Sequence, residues 1–123
     1  MTESKNETEL SDEQRVREID DWLSHVWMVR TFLKHSEEAE EDDELRDVHR
    51  DLYDYMLALG APLQANDYAK YLKVAKKKLK RLKAGNDLFS EIQPEISSHT
   101  NFQMAAHSLR LAVARIIELV ESR

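Results

Sequence analysis

The chain has 123 residues, 41% of them apolar and 34% charged, with two glycines, two prolines and no cysteine. That length suits one domain with a real core, and the lack of cysteine excludes disulfides, thiolate metal sites and a cysteine nucleophile. A net charge of −6 argues against general nucleic-acid binding, which needs a basic footprint to neutralise phosphates.

Residues 1–10 lack periodic apolar positions and read as a flexible acidic tail, leaving 11–123 as a single domain. The tail is unlike a signal or transit peptide, and no apolar run approaches the ~18 residues of a membrane span, so the expected location is cytoplasmic. Ser11-Asp12-Glu13-Gln14 fits a capping box. Val16, Ile19, Leu23, Val26, Val29 and Leu33 then recur at three- and four-residue steps, which predicts an amphipathic helix to about Ser36. Trp22 and Trp27 widen its apolar face and point about 140° apart, so one of them is the more exposed.

Glu37 to Glu44 carries seven acids in eight residues and reads as a helix end or an exposed connection. Leu45, Val48, Leu52, Tyr55, Met56 and Leu59 mark a second helix, expected to stop at Gly60 with Pro62 just beyond. Asn66 is the expected cap of a third helix, with Tyr68, Tyr71, Leu72, Ala75, Leu79 and Leu82 inward and Gly85 as its interruption. Leu88, Phe89, Ile92 and Ile96 around Pro94 suggest a separate helical turn. Thr100-Asn101-Phe102-Gln103 resembles another capping box, opening a last helix whose stripe runs from Phe102 through Ala106, Leu109, Val113 and Ile116 to Val120. Leu111, Ala114 and Ile117 add a second stripe, which either covers the 86–96 segment or is buried in a homodimer. The expected fold is all-α: an up-down-up-down four-helix bundle with a short extra helical turn before the last helix.

Lys70, Lys73, Lys77, Lys80 and Arg81 share the arc opposite the apolar positions of the third helix. They form one basic face, read either as a solvated exterior or as a docking surface for an acidic or phosphorylated partner. Without outward aromatics, single-stranded nucleic acid is not the expected ligand.

The histidines offer a different chemistry. Asp21, His25, His49 and His107 could together make a bundle-interior site for a transition metal, as in a metal carrier or an oxidoreductase. Glu-x-x-His and His-x-x-x-His spacings are both missing, which removes the di-metal, zinc-protease and hemerythrin-like patterns. Ala106-His107-Ser108-Leu109-Arg110 resembles the His-x-Leu-Lys core of histidine phosphotransfer domains. That resemblance implies a phosphoryl-accepting His107 with Arg110 as its cation, although Leu111 stands where the family has glycine. No serine triad or glycine-rich phosphate loop can be assembled. The residues therefore read as a non-enzymatic module for protein interaction or regulation, with no cofactor, and as a metal-binding bundle in the alternative.

Overall fold

The first helix begins where its local chemistry dictates. Ser11 accepts from the Gln14 N–H, and the Gln14 side chain accepts from the Ser11 N–H at 2.8 Å, so two orphan donors are satisfied reciprocally. In the computed structural model, which describes residues 9–122, this opens α1 (Asp12–Lys34). It is followed by α2 (Glu37–Glu41), α3 (Asp43–Gln64), α4 (Tyr68–Lys77), α5 (Leu79–Ile96) and α6 (Thr100–Glu121). The chain is all-helical, with no strand among the described residues. Most of the expected tail, residues 1–8, lies outside the described residues, and Leu10 already packs on the core.

α1 packs along α6 and α3, α5 packs along α3 and α6, and α4 leans on α3 and α1. The stripe Val16, Ile19, Leu23, Val26, Val29 and Leu33 is buried throughout, as is the α6 stripe from Phe102 to Val120. Each fully buried aliphatic or aromatic side chain contributes roughly 2 kcal/mol relative to its exposed state. Among the described residues no helix is long and apolar enough to cross a membrane.

Several boundaries differ from the expectation. The acidic run is a largely exposed connection between α1 and α3, but a helical one, α2, that also supplies the first acids of α3. Ser36 caps it by accepting from the Ala39 N–H, and Ala39 is buried. Gly60 and Pro62 do not stop α3, which runs on to Gln64. The stop is Asn66, in the left-handed region at φ 54°. There the Asp67 N–H donates to the Pro62 carbonyl at 2.9 Å and the Asn66 N–H to the Leu63 carbonyl at 3.1 Å, the bond pair of a Schellman motif. Asp67 then caps α4 by accepting from the Lys70 N–H.

The break in the third rod falls at Lys78 (φ −102°, ψ 9°), not at Gly85. Gly85 sits buried inside α5 against α3, and residues 86–96 continue the same helix through Pro94 instead of forming a separate turn. His99, not Thr100, caps α6: its Nδ1 accepts from the Asn101 N–H at 3.0 Å.

Two arginines finish helices that other elements leave open. Arg46 of α3 donates to the carbonyls of Ala39 and Glu40 at the end of α2. Arg15, only 8% exposed, donates through Nε and Nη2 to the carbonyls of Leu119, Val120 and Ser122 at the end of α6. A cation among orphan carbonyls at a helix C-terminus is favoured by hydrogen bonding and by the helix dipole together.

Candidate docking surface

The lysine face is fixed from behind by aromatic anchors. Tyr71 and Ala75 bury the inner side of α4, and the Tyr55 hydroxyl of α3 donates to the Ala75 carbonyl at 2.9 Å in the core. With the inner side held, Lys70, Lys73 and Lys77 project outward, and Lys80 and Arg81 continue the face onto α5; all five are exposed. Lys76 and Lys78 are exposed as well. The joint at Lys78 leaves a groove of about 420 Å³ lined by Asp51, Lys77, Lys78, Lys80, Arg81 and Ala84.

Charge is partitioned within this face. Arg81 reaches Asp54 at 3.2 Å and Asp51 at 3.6 Å on α3, so its charge is already partly answered. The Asp51 carboxyl lies above its ordinary range because burial outweighs the pull of Arg81. Among the described residues Lys70, Lys73, Lys76, Lys77, Lys78 and Lys80 make no ion pair. Tyr68 is half-buried and Tyr71 buried, so neither offers a free ring beside the lysines.

The proposed metal ligands do not gather. Asp21 and His25 are exposed, and His25 lies beside Trp22 with ring centroids 5.3 Å apart. His107 is exposed on α6, where the Arg110 guanidinium meets its Nδ1 at 3.0 Å. His49 is half-buried on α3 with its Nδ1 enclosed and unpaired. Among the described residues no group of three or more His, Asp or Glu side chains comes together to hold a metal ion. Leu111, 53% exposed, follows one turn after His107, on the position where the phosphotransfer resemblance would have glycine for close approach.

His49 instead faces cations. Its pKa is pushed below 6.5, first by burial and then by Arg30, Arg50 and Lys34. Below pH 6.5 the unfolded chain takes up a proton that the folded histidine resists, so stability falls with acidification until the folded state also protonates. In a His49→Gln variant, the loss of denaturation midpoint on acidifying from pH 7 to 5 is expected to shrink. An unchanged pH profile would show that His49 is not the responsible group.

A second surface, on α1 and α3, escaped the sequence pattern. Arg30 is 8% exposed, and its guanidinium lies 4.5 Å from the Trp27 ring and 4.7 Å from the Tyr53 ring. Such a cation between two rings is held by the ring quadrupoles after its water is lost. Beside this stack runs an apolar groove of about 450 Å³, lined chiefly by Leu23, Trp27, Met28, Met56, Leu59 and Leu63, with Asp20 at its rim and Gly60 in its wall. Of the two tryptophans, Trp27 is the exposed one, at 45%. The i, i+3 spacing of Trp27 and Arg30 was the available signal, but the partner ring belongs to another helix. The chain matches no family model, no curated protein and no solved structure.

Proposed function

We propose that this protein is a helical binding module that docks an acidic or phosphorylated protein surface on the lysine face of α4 and the start of α5. The architecture we assign to it is a four-helix bundle of up-down-up-down order, in which α4 and α5 act as one rod broken at Lys78.

One observation carries the functional reading. Six exposed lysines stand within eleven residues with no ion partner among the described residues, in a chain whose net charge is −6. The chain has acids in excess, yet among the described residues the carboxylates pair with arginines and with Lys83 and leave these six lysines unanswered. A clustered, uncompensated field of this kind steers an oppositely charged partner and fixes its register. A phosphoryl group, with its double charge and three acceptor oxygens, suits the lysine-lined groove at the Lys78 joint.

Titration of fluorescent polyglutamate and of a phosphoserine-rich acidic peptide tests this directly. Reversal of Lys73, Lys77 and Lys80 to Glu is expected to weaken binding by at least about tenfold, and raising the salt should weaken the wild type as its charges are screened. Equal binding by wild type and triple variant would remove the lysine face from consideration.

A further inference from the structure

The apolar groove between α1 and α3 is a costly surface for a monomer to present. Met28 is 65% exposed and Trp27 45%, and both line the concavity from α1, while Met56, Leu59 and Leu63 line it from α3. Gly60 lines the same concavity from inside a helix, where glycine is about 1 kcal/mol less favourable than alanine. Nothing among the described residues requires it. Its φ is not positive, and a Cβ built there meets no atom within 4 Å. A bare stretch of helix backbone facing open space is what a close-approaching external group needs.

Charge says what that group is. Asp20 and Lys34 lie seven residues before and after Trp27, so all three share one face of α1 at heptad spacing. Asp20 stands at the groove's rim beside Asp21, and its carboxyl is raised above the ordinary range by burial and then by that neighbour, with no cation paired to it among the described residues. Beyond the groove, Lys34 is exposed at the C-terminal end of α1 with no acid paired to it among the described residues; near it, around His49, stand Arg30, held in its aromatic stack, and Arg50, which touches Asp47 at 3.6 Å. The face is acidic at one end, apolar in the middle and basic at the other. A surface of that order is complementary to itself when turned end for end, which is what a two-fold axis does.

We infer that the α1–α3 face is the interface of an isologous homodimer, with its two-fold axis near Trp27. Asp20 of each copy then faces Lys34 of the other, and a protruding side chain such as Met28 enters the opposite groove beside Gly60. The surface is separate from the lysine face, so dimer formation and acidic-partner docking can succeed or fail independently.

The test uses sedimentation equilibrium of the full chain, whose monomer is 14.4 kDa. Wild type is expected near twice that mass at concentrations of tens of micromolar. The exposed-site variants Asp20→Lys and Lys34→Asp should each shift the association at least tenfold toward monomer, and the double variant should recover it. Fourteen residues of helix, about 21 Å, separate the two positions within one chain. Recovery therefore cannot come from an internal pair. Gly60→Ala should raise the thermal midpoint of the monomer while weakening the dimer. The triple reversal at Lys73, Lys77 and Lys80 should leave the dimer intact. A wild type that stays monomeric at several hundred micromolar, or a double variant no better than the singles, would overturn the proposal.

Discussion

Arg15→Ala is expected to lower the unfolding free energy by about 3 kcal/mol and the thermal midpoint by on the order of 10 °C. The guanidinium is 8% exposed and donates to three carbonyls at the end of α6, the closest at 2.8 Å. Removing it leaves the Leu119 and Val120 carbonyls buried without that donor, and it deletes an apolar stem packed between α1 and α6. Arg15→Met keeps the stem and loses the bonds. Arg15→Lys keeps the charge but not the planar fork that serves several acceptors at once. The expected order of denaturant midpoints is wild type, then Lys, then Met, then Ala. A loss below about 0.5 kcal/mol for Ala would mean that water replaces the clamp without penalty.

Gly85→Val should be comparably damaging, at about 2–3 kcal/mol, for the opposite reason. A Cβ at this position already lies 3.3 Å from the Asp51 Cβ and 3.3 Å from Leu52 Cδ2, with the Val48 carbonyl at 3.7 Å. Alanine gains helix propensity of about 1 kcal/mol and forces only a slight shift, so Gly85→Ala is expected near neutral. Valine adds two methyl groups into a contact with no room and must push α5 off α3. Because Asp51 also pairs with Arg81 in the basic groove, the same variant should disturb docking of the acidic peptide. Denaturant titration of both variants separates the cases. Equal midpoints for Val and Gly would show that the helices part easily here.

The contrast between Gly60 and Gly85 explains what the sequence made legible. Both read as breakers, since glycine's local cost is the same wherever it stands. One instead faces open space and the other a neighbouring helix, and neither ends its element. Features set by residues three or four apart were readable: the Ser11 capping box, the buried stripes of α1 and α6, and the outward lysines. Features set across the fold were not. The Lys78 joint has no side-chain cap, and the His99 cap uses a ring nitrogen in a role more often filled by a hydroxyl or carboxylate. A histidine has metal-ligand chemistry wherever it stands in the sequence. The convergence of the histidines depends on helix rotation, which brings His49 to Arg30 and Lys34 while His25 and His107 remain exposed. The Arg30 stack has the same origin, because Trp27 and Tyr53 meet only once α1 and α3 pack.

The Arg15 clamp also bears on the order of assembly. It joins positions more than a hundred residues apart, so ring closure between them is among the most entropically demanding contacts in the chain. Neighbouring helices can pair while the rest is still unformed, but this bond waits for α6 to arrive beside α1. It is therefore expected to close late, and Arg15→Ala to speed unfolding more than it slows refolding.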